Sequence, residues 1–208
     1  MIGFAELLEG GHAKTPEDAQ SYGLHLREAG ERMLETVDKL LTWERLSGAT
    51  RRPTEKVDTY CLLTAAVART RRLADARGVR VLVGPLAGPN LEVEVELVAA
   101  ALAGLLDNAI RATPEHGTVE LGAELAEGPA GPRVRLVVRD SGPGIAAGIL
   151  ADPGRPFAVD GSALTRKRDG LGLGLAIARL AAERYGGRLS LQARAEGGTE
   201  AALELPVA

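Results

Sequence analysis

One cysteine, Cys61, stands in the 208 residues of the chain. A single thiol excludes an internal disulfide and a cysteine metal cluster. Within its apolar run Cys61 reads as a core residue rather than a nucleophile. Aromatic side chains are almost as scarce, at 3% of the sequence. The core must therefore come from Leu, Val, Ala and Ile. Charge of either sign is not in large excess: the net value is −3, which exerts no pull toward nucleic acid or an anionic membrane, and no nucleic-acid partner is expected. The longest apolar stretch, around Val98 to Leu106, is too short to span a bilayer. No basic segment precedes an apolar one at the N-terminus, so no signal peptide is predicted. These absences predict a cytoplasmic chain without a membrane segment, with an anchor in a longer parent protein left open.

What the chain has in plenty is glycine, 26 residues, gathered mainly in the second half. The densest stretch is Gly170-Leu171-Gly172-Leu173-Gly174-Leu175-Ala176-Ile177. Glycine occupies every second position, then a helical pattern takes over with Leu175, Ile177, Leu180 and Ala181 on one face. Glycines before a helix let the backbone approach a ligand and aim unpaired N–H groups at it. The positive end of the helix dipole adds to that, and phosphate is the favoured ligand. Taken alone, such a stretch is as often a tight turn as a phosphate site.

Two upstream stretches give it context. Glu94 to Thr113 is the strongest helical pattern in the chain. Leu97, Val98, Ala101, Leu102, Leu105, Leu106, Ala109 and Ile110 form its buried stripe. Asn108 and Arg111 lie one turn apart near its end. An amide oxygen suits Mg²⁺, which takes one or two protein oxygens beside phosphate oxygens, and an arginine suits phosphate. The plain alternative is a solvent-facing Asn–Arg pair. Further on, Val134 to Arg139 alternates as a strand and ends at Asp140-Ser141-Gly142-Pro143-Gly144. A carboxylate there accepts hydrogen bonds, as from the exocyclic amine of adenine, and the glycines leave room for a flat base. The alternative is an ordinary Asp-Ser-Gly turn.

The remaining elements frame these three. Met1 to Glu9 reads as helix, stopped by Gly10-Gly11. Thr15-Pro16-Glu17-Asp18 carries an N-cap, a proline in the first helical position and acidic residues in the first turn. A long helix follows to about Leu46, with Tyr22, Leu26, Ala29, Met33, Val37, Leu40 and Leu41 as an apolar seam. A hairpin with so short a first helix cannot bury that seam alone, whereas a partner hairpin forming a four-helix bundle would. Ser47 to Pro53 is a linker. Val57 to Tyr60 is expected as a short strand, Cys61 to Ala76 as helix and Arg80 to Gly84 as strand. Thr118 to Leu121 and Val134 to Arg139 form a hairpin turning at Gly128 to Gly131. Gly142 to Asp169 is aperiodic, and a loop of that length in a compact domain is usually functional. Helix 171–185 stops at Gly186-Gly187. Leu189, Leu191 and Ala193, a turn at Glu196-Gly197-Gly198, then Ala201, Leu203 and Leu205 close the chain as a second hairpin.

The order of the motifs resembles the ATP-binding domain shared by sensor histidine kinases, gyrase B, MutL and heat-shock chaperone ATPases, the Bergerat fold. Leu-Leu-Asp-Asn-Ala-Ile-Arg-Ala-Thr-Pro around Asn108 is similar to the histidine-kinase N box. Asp-Ser-Gly-Pro-Gly-Ile is similar to the G1 box and Gly-Leu-Gly-Leu-Gly-Leu-Ala-Ile to the G2 box. Pro156-Phe157 is a weaker match to the F box. The Ile2-Gly3-Phe4 segment, Thr15-Pro16-Glu17 and Glu31-Arg32-Met33-Leu34 resemble the family's dimerisation and phosphoacceptor hairpin.

The resemblance implies an α+β fold: a helical hairpin over residues 1–48, then a two-layer α/β sandwich over 53–208, its mixed sheet backed by three helices. It implies ATP and Mg²⁺ as ligands, with Asn108 on the metal, Arg111 on a phosphate and Asp140 on the adenine amine. Gly142 and Gly144 would shape the adenine pocket. Gly170, Gly172 and Gly174 would hold phosphates and hinge a lid over roughly 145–169, from which Arg166, Lys167 and Arg168 could reach the γ-phosphate. A homodimer through the hairpin and a response-regulator receiver domain as partner are implied as well.

Two departures qualify it. Gly104 stands where the family usually has a second Asn, one turn before the metal ligand, and a helix-interior glycine costs about 1 kcal/mol against Ala. The acceptor box, a His followed by an acidic residue and later a proline, is expected before the Ile-Gly-Phe segment. His12, His25 and His116 do not have that context, so no catalytic side chain is assigned. Three functions compete: a histidine-kinase catalytic core unable to autophosphorylate alone, a non-catalytic pseudokinase or dimeric docking adaptor, and a serine kinase of the anti-sigma-factor type, against which the hairpin argues.

Overall fold

The computed structural model describes residues 2–48, 52–86, 88–128, 131–144 and 173–207. Two compact units are present, one over residues 1–45 and a larger one beginning at Leu46. The first holds helix α1 (Ile2–Glu9) and most of helix α2 (Pro16–Ser47). The Gly10-Gly11 stop operates as expected, with Gly11 at φ 66°. Thr15 caps α2 reciprocally: its Oγ1 accepts from the Asp18 N–H at 3.1 Å, and its own N–H donates to Asp18 Oδ2 at 3.0 Å. Such a box satisfies two orphan donors of the first turn.

The larger unit is a sheet backed by helices. Its elements are β1 (Glu55–Val57), α3 (Thr59–Ala76), β2 (Arg80–Leu86), β3 (Leu91–Val93), α4 (Val95–Ala112), β4 (Thr118–Gly128), β5 (Gly131–Asp140), α5 (Leu173–Arg184), β6 (Arg188–Ala193) and β7 (Thr199–Pro206). Five strands lie in the order β2-β4-β5-β7-β6. β2 runs parallel to β4, and the other pairings are antiparallel. The sheet is thus mixed, as the resemblance implies. Leu62, Leu63, Leu102, Leu105, Leu106 and Ile110 from the helices and Leu121, Leu136, Leu203 and Leu205 from the strands are buried to 2% exposure or less. This aliphatic core is what an aromatic-poor sequence dictates.

Several boundaries differ from the sequence reading, each for a local reason. The strand expected at Val57 to Tyr60 lies earlier. Asp58 caps α3 by accepting from the Tyr60 N–H at 2.7 Å, so the helix begins at Thr59. Cys61 is exposed rather than in the core, because the inward face of α3 is Thr59, Leu62, Leu63, Ala66, Thr70 and Ala74. β3 was not anticipated; its three residues pair with β1, Val57 opposite Leu91. β4 and β5 extend well past the expected segments and meet in register down to Gly128 opposite Gly131.

Two charged clusters organise the larger unit. On β5, Arg135 faces Glu124 of β4 and Glu204 of β7, and Arg139 faces Glu200 of β7. Arg135 reaches all three carboxylates within 3.3 Å, and Arg139 binds Glu200 at 2.6 Å and Glu124 at 2.5 Å. Cross-strand opposite charges of this kind pin the register. Burial works against the Glu200 carboxylate, but the bonds and charges of Arg139 and Arg135 outweigh it and hold its pKa below the ordinary value. The second cluster centres on Glu94, 3% exposed at the N-cap of α4. Arg184 Nη1 donates to both its oxygens, at 3.1 and 3.0 Å, while Arg184 Nη2 donates to the Leu46 carbonyl at 2.7 Å. The Glu94 N–H donates to the Tyr185 hydroxyl at 2.6 Å. A buried carboxylate at a helix N-terminus with a guanidinium partner satisfies both the dipole and the desolvated charge.

Among the described residues no helix is long and apolar enough to cross a membrane.

Candidate nucleotide-binding site

Three motif-bearing elements of the larger unit converge. Helix α4 carries Asn108 near its C-terminal end, strand β5 ends on Asp140, and α5 begins at Leu173. At the first junction Gly142 lies against the last turn of α4. A Cβ on Gly142 would sit 2.7 Å from the Ala112 carbonyl oxygen. Only glycine lets the turn after β5 run this close to the helix. At the second junction Gly104 of α4 and Gly174 of α5 touch through their backbones: a Cβ on Gly104 would sit 2.8 Å from Gly174 Cα. The Asn helix thus has the Asp turn at one end and the start of α5 one turn before Asn108.

Asp140 is 5% exposed and rigidly held. Its Oδ1 accepts from the Gly142 N–H at 2.8 Å and from the Thr199 N–H at 3.2 Å. Its carbonyl accepts from Arg194 Nη1 at 3.0 Å. Among the described residues Oδ2 accepts no hydrogen bond, which leaves an oriented carboxylate oxygen for a ligand donor. Gly198, at φ 89°, packs against the Asp140 carbonyl so closely that a Cβ has no room. Gly144 has φ 85° and also faces Gly198. The β6–β7 turn therefore props the Asp140 turn from behind. Arg194, Gly198 and Thr199 are the site residues that the sequence reading did not single out. The Gly197-Gly198-Thr199 run was the available signal, but its contact with Asp140 spans nearly sixty residues.

Asn108 is exposed and, among the described residues, its amide makes no hydrogen bond. Arg111, half-buried, donates from Nε to Asp107 Oδ2 at 3.1 Å. Its carbonyl accepts from Arg77 Nη2 at 3.1 Å, a basic cap on the C-terminal end of α4. Asn108 is thus open to solvent, while Arg111 is oriented by a carboxylate neighbour. Gly174 is in the first turn of α5. Gly170, Gly172, the lid segment with Arg166, Lys167 and Arg168, and Pro156-Phe157 lie outside the described residues. Among those described, no group of three His, Cys, Asp or Glu could hold a metal. The donor set fits a cation that keeps water and phosphate oxygens and takes one protein amide, the habit of Mg²⁺.

Comparison with known proteins bears on this arrangement. Residues 94–208 match the family described as histidine kinase-, DNA gyrase B-, and HSP90-like ATPase. The chain is similar to the sensor histidine kinase AruS of Pseudomonas aeruginosa, 31% identical across 100% of this chain and 21% of that protein. It is similar to histidine protein kinase DivJ of Caulobacter vibrioides, 29% identical across 100% of this chain and 34% of that one. The chain thus spans a fifth to a third of these relatives' length. Among solved structures, full-length ShkA in complex with AMPPNP superposes with a TM-score of 0.70 and 29% identity, over 93% of this chain and 40% of that one. The Acinetobacter baumannii histidine kinase AdeS, 19% identical, shares the fold with a TM-score of 0.68 over 99% of this chain and 92% of that one. The match covers more than half of the chain and includes Asn108, Asp140 and Gly174, so the chain belongs to the histidine kinase-, DNA gyrase B-, and HSP90-like ATPases and carries the ATP-binding core of their sensor histidine kinase branch.

Proposed function

We propose that this chain binds ATP with Mg²⁺ and serves as the catalytic core of a histidine kinase in two-component signal transduction. The observation that carries the reading is the convergence of α4, the Asp140 turn and the start of α5, with Asp140 Oδ2 and the Asn108 amide left open among the described residues. Asp140 would accept from the adenine amine between Gly142 and Gly144. Asn108 would hold Mg²⁺, which when bound neutralises phosphate charge. Arg111 would steady a phosphate, and Gly170, Gly172 and Gly174 would bring backbone N–H groups to the others and hinge the lid. The functional division would be 1–48 for the hairpin and 53–208 for the nucleotide domain.

The hairpin would dimerise with a second copy. Met33, Leu34, Val37, Leu40 and Leu41 are 41% to 68% exposed, and a four-helix bundle would cover them. A response-regulator receiver domain is the downstream partner this reading requires.

These 208 residues would not label themselves. Transfer needs an imidazole in line with the γ-phosphate and a carboxylate to help take its proton. His25 is the one histidine on α2, and Glu28 Oε2 does lie 3.7 Å from its Nδ1. That carboxylate is a turn away rather than adjacent, and no acceptor-box proline follows. A non-catalytic adaptor is the second reading, favoured by Gly104 in place of the family's usual Asn. Incubation with γ-labelled ATP separates them. Acid-labile label on an added intact acceptor hairpin, with none on this chain, supports the catalytic core. Bound ATP with no label on either chain gives the adaptor. Label on this chain lost in His25→Gln makes His25 the acceptor.

A further inference from the structure

The meeting of α4 and α5 is closer than side chains permit. A Cβ on Gly104 would lie 2.8 Å from Gly174 Cα and 3.0 Å from its carbonyl oxygen; a Cβ on Gly174 would lie 2.9 Å from the Gly104 carbonyl oxygen. In both directions the obstacle is backbone, which cannot rotate away as a side-chain tip can. Gly104 is not at a positive φ, so chain conformation alone does not call for glycine here. Space does. Intrinsic preference points the other way, because alanine is the better residue inside a helix. Ala100 and Ala101 on α4 and Ala178, Ala181 and Ala182 on α5 are buried as well. Gly104 precedes Asn108 by one turn, and Gly174 sits in the first turn of α5, directly after the Gly170-Leu171-Gly172 run in sequence.

We propose that Gly104 is a positioning residue for the phosphate end of the nucleotide, acting through Gly174. The paired glycines set the distance between Asn108 and the first turn of α5. The proposal rests on the ATP-binding reading above. It adds a packing role for Gly174 to the phosphate contact proposed above. It also reverses the meaning of the departure at Gly104. The glycine is then no mere loss of a polar contact, and restoring the asparagine usual in the family harms the site, because its Cβ displaces α5.

The test uses the full chain with Gly104→Ala, Gly104→Asn and Gly174→Ala, read by melting temperature and by titration with Mg–ATP and with adenosine. A free helix position would melt higher as Gly104→Ala, whereas the backbone contact predicts that all three melt lower. Mg–ATP affinity is expected to fall about tenfold in each, the scale of a small overpacking penalty, with adenosine affinity nearly unchanged. That split is one that a merely loosened fold does not produce. Gly104→Ala melting at or above the parent overturns the contact. Gly104→Asn binding Mg–ATP as tightly as the parent, or ATP and adenosine weakening together, overturns the positioning role. A parent chain that binds neither ligand overturns the ATP-binding reading and the positioning role with it, while the melting arm still decides the contact.

Discussion

Helices α2 and α4 show apolar residues at the same three- and four-residue spacing, yet they spend them differently. On α4, Leu97, Leu102, Leu105, Leu106 and Ile110 are all buried to 2% exposure or less, beneath α3, α5 and the sheet. On α2, Leu34 is 68% exposed and Met33 58%. The spacing therefore reports that a face is meant to be covered, not by what. α4 finds its cover within its own chain, whereas Met33, Leu34, Val37, Leu40 and Leu41 of α2 stay exposed in the single chain. The polar residues follow the same division. The acid at the start of α4, Glu94, is buried on an arginine. The Arg27–Glu31 pair of α2, at 3.9 Å, is exposed on both sides.

The largest effect is expected at Glu94. Glu94→Ala leaves the Arg184 guanidinium buried without its carboxylate, and denaturant unfolding should show a loss of about 3–5 kcal/mol. Glu31→Ala on α2 should cost no more than about 0.5 kcal/mol. If the two cost the same, the distinction between the helices fails. Next in size is Leu106→Ala, expected to lose about 2–5 kcal/mol through its cavity. Leu34→Ala should leave the unfolding of dilute chain within about 0.5 kcal/mol but lower the mass seen by sedimentation at high concentration. An unchanged mass would remove the dimer from the account. The smallest effect concerns acid. Glu200 has a lowered folded pKa, so its contribution is complete above the unfolded value of about 4.3 and is lost as pH falls through the lower folded one. Glu200→Gln should flatten the stability curve in that window, and an unaltered curve would show that the β5 arginines do not act on it.

Local pattern made much of this molecule readable. The α4 stripe, the Thr15 cap, the Gly186 stop and both hairpins follow from spacing and turn chemistry within a few residues. Contacts distant in sequence were not readable. β1 and β3 are three residues each and find each other across more than thirty positions. Thr199 and Arg194 support Asp140 from the far hairpin. Glu94 reads as the start of a helix, and nothing local announces Arg184. Gly104 reads as a defect until Gly174 is seen against it. Cys61 shows the opposite failure: an apolar neighbourhood in sequence does not decide which way a helical residue faces.

Asp140 carries the adenine end of the proposed site: its carboxylate is fixed by two backbone N–H groups and, among the described residues, keeps one oxygen open. Calorimetric titration of the parent and Asp140→Asn chains with Mg–ATP and with inorganic tripolyphosphate addresses it directly. Loss of one charge-assisted hydrogen bond predicts ATP affinity lower by about 10- to 100-fold, with tripolyphosphate binding unchanged. Asp140→Asn binding ATP as tightly as the parent would contradict the account.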